Sequence, residues 1–160
     1  MPRKVHVQLT SGSRGRITAA ELRRVARGVM AAEDVAAAVE VEVVLADETT
    51  VRELNRLYRG KDEPADVLSF AAMEGEAFTA APDEAPSLGE VVICLPVAES
   101  QASGTGRAVV GEVAHLLTHG LLHLLGYDHE EDEAESQRMK AREDELLASL
   151  GHAGQYEHGH

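Results

Sequence analysis

Three histidines stand at a spacing that suits a single divalent metal ion. His119 and His123 are four residues apart, so on an α-helix their imidazoles project from the same face on successive turns. Gly126 is placed to end that helix, and the reversed chain would bring His129 back toward the same ion. Three neutral imidazoles suit zinc, and three protein ligands leave one position for water. The spacing therefore predicts one zinc ion per chain in an open, reactive site.

A similar spacing occurs in the protease pattern His-Glu-x-x-His-x-x-Gly-x-x-His, in which the glutamate is the general base. Gly120 stands at the position of that glutamate here. Its presence argues against ordinary peptide hydrolysis and leaves metal-activated water as the base. We therefore expect a site that is hydrolytic but not proteolytic. His115, four residues before His119, is either a partner that supports the metal ligands or a buried, hydrogen-bonded histidine of the core.

A second group of candidate residues is cationic. Arg52, Arg56 and Arg59 recur at helical spacing and, with Lys61, would form a ridge suited to phosphates. The alternative is a solvated helix face with local ion pairs. The net charge of −13 counts against a nucleic-acid partner. However, residues 1 to 61 hold 11 Lys and Arg against 8 Asp and Glu, whereas residues 62 to 160 hold 4 against 20, so basic charge is confined to the first part of the chain.

Length and composition indicate one folded domain. The chain has 160 residues, and we expect a domain at 1–151 followed by a polar, histidine-containing tail at 152–160. With two Phe, three Tyr and no Trp, aromatic platforms for nucleobases should be scarce, and Cys94 should be a buried core residue. The N-terminus has no hydrophobic signal core and no run is long enough to span a bilayer, so we expect a cytoplasmic protein with no membrane partner.

The hydrophobic periodicity predicts alternating strands and helices. Strands are expected at 3–9, 40–46, 67–70 and 88–95, with a loop at 73–87. Helices should begin at Thr18, at Asp47 or Thr49, at Pro96, near Arg107, and after the acidic run 130–135. The second of these should be broken at Pro64 and should pack Val51, Leu54 and Leu57 or Tyr58 inward.

Three stretches closely resemble the bacterial YbeY family of metal-dependent endoribonucleases. They are Leu-Asn-Arg-Leu-Tyr-Arg-Gly-Lys-Asp-Glu-Pro-Ala-Asp-Val-Leu-Ser-Phe at 54–70, Leu-Gly-Glu-Val-Val-Ile-Cys at 88–94, and His-Leu-Leu-Thr-His-Gly-Leu-Leu-His-Leu-Leu-Gly-Tyr-Asp-His at 115–129. The chain departs from the family at Ala65, where Thr is usual, and at Glu90, where Asp is frequent. Neither residue is a metal ligand, so the resemblance of the site is unaffected.

The resemblance implies a single-domain α+β fold, in which helices cover a small mixed β-sheet and the zinc-binding helix is central. It implies zinc ligation by His119, His123 and His129, and it places the functionally required arginine of the family at Arg59. The implied activity is zinc-dependent, single-strand-specific endoribonuclease cleavage in maturation of small-subunit (16S) ribosomal RNA and in ribosome quality control. The implied partners are ribosomal RNA and the ribosome or its small-subunit proteins.

Two other functions are compatible with the sequence. One is a non-catalytic ribosome-assembly factor whose metal site is structural, so that loss of zinc would unfold the chain. The other is a metallohydrolase that acts on another substrate, which Gly120 disfavours for peptides.

Overall fold

In the computed structural model, strands and helices alternate along the described residues, which are 4–9, 17–72, 86–106, 108–127 and 133–152. The elements in chain order are β1 (Val5–Leu9), α1 (Ala19–Ala32), β2 (Glu40–Ala46), α2 (Glu48–Arg59), β3 (Val67–Ala71), β4 (Ser87–Cys94), α3 (Leu95–Thr105), α4 (Val109–Leu124) and α5 (Glu133–Ser149). These bounds agree with the predicted elements to within a few residues at most ends.

The four described strands form one mixed sheet in the order β1-β2-β4-β3. β1, β2 and β4 run parallel, and β3 pairs antiparallel with β4 at the edge of the described sheet. Successive residues of β4 point to opposite faces, so Val91 and Ile93 enter one core while Val92 and Cys94 enter another. The sheet is therefore covered on both sides, and Cys94 is a buried core residue as predicted.

Helices α1, α4 and α5 contribute to the larger core, and α2 contributes to the smaller one. α4 contacts α1, α3, α5, β3 and β4, and most of its residues are buried. A helix in this position needs apolar residues nearly all round, which its sequence provides. The α+β class, the small mixed sheet and the central position of α4 are thus confirmed.

The first helix begins as its sequence indicates. The Thr18 hydroxyl accepts a hydrogen bond from the Glu21 backbone N–H at 3.1 Å, which satisfies one of the unpaired donors of the first turn. The buried residues of α1 are those of the predicted apolar stripe: Leu22, Val25, Ala26, Val29 and Met30. Local sequence signals therefore determine this helix fully.

The second helix ends earlier than predicted. Asp47 caps its start by accepting from the Thr50 backbone N–H at 2.7 Å, but the helix stops at Arg59 and not at Pro64. Gly60 follows in the left-handed conformation, with φ of 72°, which glycine adopts without a steric penalty. The glycine therefore terminates α2 four residues before the proline.

The prediction that Leu57 or Tyr58 packs inward was wrong. Their exposed fractions are 57% and 68%. α2 lies over a small part of the sheet, and its buried residues are Val51 and Asn55, one turn apart. The last turn of α2 therefore extends beyond the core with both side chains in solvent.

Three further predictions concern the periphery of the fold. Most of the predicted loop at 73–87 lies outside the described residues. His152, the first residue of the predicted tail, is buried and its Nε2 lies 3.1 Å from Glu21 Oε2, whereas 153–160 lie outside the described residues. In the described part of the chain, every helix is too short or too polar to cross a bilayer.

Candidate active site

His119 and His123 lie side by side on α4. Their ring centroids are 4.7 Å apart, and the ring planes are inclined by 71°. Both side chains line a pocket of about 500 Å³ that opens at the surface between α4, β3 and the end of α2. The spacing of four residues therefore brings two imidazoles to one face and one cavity, as predicted.

The end of α4 reverses the chain. Gly126 has a φ of 103°, and its backbone N–H donates to the His123 carbonyl at 3.0 Å. The next backbone N–H, that of Tyr127, donates to the Leu122 carbonyl at 3.0 Å, which completes a glycine-dependent helix end. The Tyr127 hydroxyl then donates to Glu33 Oε1 at 2.9 Å. His129 follows two residues later, outside the described residues, so its role as third ligand stays a prediction.

Glu143 of α5 is a site residue that sequence reasoning missed. One carboxylate oxygen lies 2.5 Å from Nδ1 of His119, and the other lies 3.1 Å from Nε2 of His115. Burial raises the pKa of Glu143, but hydrogen bonds and charge interactions with the two histidines outweigh burial and lower it to about 2. A single buried carboxylate thus holds both imidazoles.

A sequence signal for Glu143 existed. It lies on the inner stripe of α5, four residues after Met139 and three or four before Leu146 and Leu147, all of which are buried. A glutamate among apolar residues on a buried stripe needs a partner, because an unpaired buried charge is costly. His115 is one partner of the Glu143 carboxylate, and His119 is the other.

Gly120 faces the sheet. A Cβ atom built there would lie 2.8 Å from Val91 Cγ1 and 3.1 Å from Ser69 Oγ. The Ser69 hydroxyl donates to the Gly120 carbonyl at 3.1 Å, so strand β3 and helix α4 approach closely at this point. A glutamate at position 120, as in the proteases, would clash with β4 and β3. Packing at position 120 therefore leaves no room for the glutamate of the proteases.

Arg59, the last residue of α2, lines the same pocket. Its guanidinium donates from Nη2 to the Ser69 carbonyl at 2.5 Å and lies 5.3 Å from the centre of the Phe70 ring. Ser69 therefore contacts Arg59 through its backbone and α4 through its hydroxyl. The edge strand β3 connects the arginine to the helix that carries His119 and His123.

The other three predicted cations have two different surroundings. Lys61 lines the pocket, because Gly60 turns the chain after α2. Arg52 pairs with Asp62 at 2.9 Å and Arg56 pairs with Glu53 at 2.5 Å, both at the surface and outside the described lining of the pocket. The ridge is thus partly neutralised by local ion pairs, which was the alternative interpretation for this helix face.

A buried amide holds the segment that carries Lys61. Asn55 is 4% exposed, and its Nδ2 donates to the Glu63 carbonyl at 2.9 Å. Residues 61 to 66, except Asp62, line the pocket. The amide therefore fixes one wall of the pocket to α2.

Within the described ranges, no three His, Cys, Asp or Glu side chains are grouped so that they alone could hold a metal ion. The predicted third donor, His129, lies outside those ranges. The donors that are described are two imidazoles that share a pocket, which is the nitrogen chemistry that zinc prefers.

Comparisons with known proteins assign the chain to a family. A family model described as endoribonuclease YbeY matches residues 9–151. A protein of Pelotomaculum thermopropionicum named endoribonuclease YbeY is 43% identical over 147 residues, which cover 89% of this chain and 95% of that protein. A protein of the same name from Stutzerimonas stutzeri is 48% identical over 117 residues, covering 73% and 70% of the two chains.

A solved structure supports the fold. The solution structure of TM1509 from Thermotoga maritima superimposes with a TM-score of 0.56 at 25% sequence identity, over 91% of this chain and 90% of that one. The two chains therefore share the same overall fold. By sequence, the chain belongs to the endoribonuclease YbeY family.

Proposed function

We propose that the chain is a zinc-dependent endoribonuclease that cleaves single-stranded RNA, and that it acts in maturation of small-subunit ribosomal RNA and in ribosome quality control. The observation that carries the proposal is the shared pocket, which is lined by Arg59 and Lys61 as well as by His119 and His123. Membership of a family named for endoribonucleases supports the reaction class. The ribosomal role rests on the resemblance to that family.

His119, His123 and His129 would hold the zinc ion. Glu143 binds Nδ1 of His119, and this contact orients the ring so that Nε2 is the nitrogen suited to the metal. When bound, zinc would supply Lewis-acid chemistry and lower the pKa of a coordinated water. The Glu143 carboxylate, which also contacts His115, would keep the His119 ring in that orientation.

Arg59 would bind the phosphate that is cleaved. A guanidinium can donate two parallel hydrogen bonds to phosphate oxygens and offset the negative charge that develops on them. The Ser69 carbonyl and the Phe70 ring hold the guanidinium at the pocket wall, so little ordering is needed when substrate binds. Lys61 adds a second positive charge on the same wall.

RNA binding by the isolated chain should be weak and salt-sensitive. The net charge is −13, and two of the four predicted cations, Arg52 and Arg56, are already paired with carboxylates. Few phosphate contacts give a low affinity, and because each contact releases counterions, that affinity falls further as the salt concentration rises. Ribosomal proteins would then contribute to delivery of the RNA.

The test compares cleavage of a ribosomal RNA fragment by wild-type protein and Arg59→Ala, with Arg138→Ala as a charge-matched control. Arg138 is an exposed arginine of α5 that pairs with Glu135. Folding is checked by circular dichroism and zinc content by mass spectrometry. We expect Arg59→Ala to cleave about 100-fold more slowly, as for loss of a transition-state donor, and Arg138→Ala to match the wild type.

Equal cleavage by all three proteins would identify a contaminating ribonuclease and contradict the role of Arg59. Absence of cleavage in all three, together with unfolding when zinc is chelated, would favour an assembly factor with a structural metal. Cleavage of a peptide but not of RNA would favour the third function, a metallohydrolase of another substrate.

A further inference from the structure

A second pocket adjoins the candidate active site. It has a volume of about 470 Å³ and shares Arg59 with the first pocket. Its wall contains Leu54 and Tyr58 of α2, Phe70 of β3 and Glu90 of β4. The two pockets therefore meet at the Arg59 guanidinium, which binds the cleaved phosphate in the proposed function.

Aromatic rings are concentrated at this second pocket. The structure describes three of the five Phe and Tyr residues of the chain, and two of them, Tyr58 and Phe70, meet here in an edge-to-face contact with ring centroids 5.5 Å apart. The sequence predicted that aromatic platforms would be scarce. They are few, but they are placed beside the catalytic arginine.

Tyr58 is largely exposed although its ring contacts Phe70. It lies at the end of α2, where the helix has left the core, and the ring is accessible beside a concave surface. The Arg59 guanidinium lies over the Phe70 ring. An accessible aromatic ring beside a stacked guanidinium is typical of surfaces on which unpaired nucleobases stack.

Glu90 gives this pocket a polar end. Burial and the nearby Glu42 raise the pKa of Glu90, so its carboxylate is poorly compensated and would gain from a hydrogen-bond donor. The exocyclic amino group of a base such as cytosine is a donor of this kind. A carboxylate at this place also disfavours a second phosphate, which leaves the base as the suitable occupant.

We propose that this pocket binds one unpaired nucleobase, which carries an amino group and is adjacent to the phosphate held by Arg59. The base stacks on Tyr58 and donates to Glu90. This proposal deepens the proposed function and rests on it for the position of the phosphate. A base in a duplex is stacked on both faces and cannot enter, so the pocket favours single-stranded RNA.

The test measures binding of a fluorescent single-stranded RNA by anisotropy, with chelator present and intact RNA verified on a gel. The proteins are wild type, Tyr58→Ala, Tyr58→Phe and Leu57→Ala. Leu57 is the matched control, since it is the neighbouring exposed apolar residue of α2 and lies outside the described lining of the pocket. Loss of one base stack should weaken binding by Tyr58→Ala about 5- to 150-fold, while Tyr58→Phe and Leu57→Ala should bind like wild type.

A second set of RNAs identifies the contacted base. Abasic sites are placed one at a time along the strand, and each RNA is titrated with wild type and Tyr58→Ala. At one position, removal of the base should make the RNA affinities of wild type and Tyr58→Ala equal. The base removed from the RNA and the ring removed from the protein would then belong to the same contact. Replacing that base with uracil should weaken binding in wild type and have less effect in Glu90→Ala.

Two results would overturn the proposal. One is an equal affinity of Tyr58→Ala and Leu57→Ala for every RNA tested. The other is loss of binding to a ribosomal protein by Tyr58→Ala while its RNA affinity stays that of wild type, which would make the surface a protein-docking site. Failure of the proposed function gives a different pattern, in which base-dependent binding requires Tyr58 but Arg59→Ala does not slow cleavage.

Discussion

The two walls of the candidate site are built differently. The histidine wall belongs to α4 in the centre of the fold, and its imidazoles are held by a buried carboxylate from α5. The arginine wall belongs to the end of α2 and the edge strand β3, where Arg59 and Tyr58 are exposed. One wall is fixed by the core, and the other is held by a few local contacts.

This difference fits the two chemical tasks of the proposed function. A metal ion requires donors at fixed positions, and second contacts such as that of Glu143 keep imidazoles in one orientation. A long, flexible polymer requires an open surface that it can approach from solvent, and exposed arginine and aromatic side chains provide one. Substitutions on the two walls should therefore have separable effects on stability and on binding.

The largest effect is expected at Glu143. Glu143→Ala removes the partner of two imidazoles from a buried site, which should lower the free energy of unfolding by about 3–5 kcal/mol. Glu143→Gln keeps the volume and should bind zinc about 10- to 100-fold more weakly. Urea unfolding and zinc competition with a chromogenic chelator measure the two quantities. Asp144→Asn, the exposed neighbour, is the control, and an equal effect there would contradict the assignment.

The next effect concerns the packing of α4 on the sheet. Gly120→Ala adds a methyl group that would lie 2.8 Å from Val91 Cγ1. We expect a net loss of about 1–2 kcal/mol, because overpacking outweighs the helix propensity of alanine. Gly104→Ala in α3 is the matched control, since its methyl group meets no atom within 4 Å and should stabilise by up to about 1 kcal/mol. Equal urea midpoints for the two variants would show that Gly120 does not face a tight contact.

A smaller effect is expected on the arginine wall at Asn55. Asn55→Ala leaves the Glu63 carbonyl without its donor and should cost about 1 kcal/mol or slightly more. Because residues 61 to 66 would then be less ordered, RNA cleavage should fall more than zinc affinity. Leu57→Ala on the same helix should change neither. A parallel loss of zinc binding in Asn55→Ala would show that the two walls are coupled.

The smallest effect is expected at Arg56. Its ion pair with Glu53 is exposed and screened by solvent, so Arg56→Ala should leave the free energy of unfolding nearly unchanged. RNA affinity measured over a range of salt concentrations tests the predicted phosphate ridge. Loss of one phosphate contact would reduce the salt slope by about 1, whereas an unchanged slope would show that Arg56 serves only its ion pair.

Local signals predicted most of the fold. Thr18 and Asp47 act as helix caps, the stripe from Leu22 to Met30 is buried, and Glu40–Ala46 is a strand with the predicted bounds. These features depend on residues close in sequence or on simple periodicity. The end of α2 was misjudged because two signals competed there, and the left-handed glycine at 60 acts before the proline at 64.

The candidate site was predictable only where its residues share an element. His119 and His123 are one turn apart on α4, so spacing alone placed them together. Glu143 comes from another helix 24 residues later, and its contact with His119 depends on how α5 packs on α4. The pairing of Arg59 with the Ser69 carbonyl likewise depends on β3 being the edge strand, which no local pattern specifies.

The carboxylate that orients His119 is carried by the last helix of the described fold. During synthesis the histidines of α4 leave the ribosome first, and α5 can dock only after a further two dozen residues have emerged. A chain interrupted before Glu143 would hold both imidazoles of α4 without the group that fixes them. Completion of the site therefore requires that the chain has been made through α5.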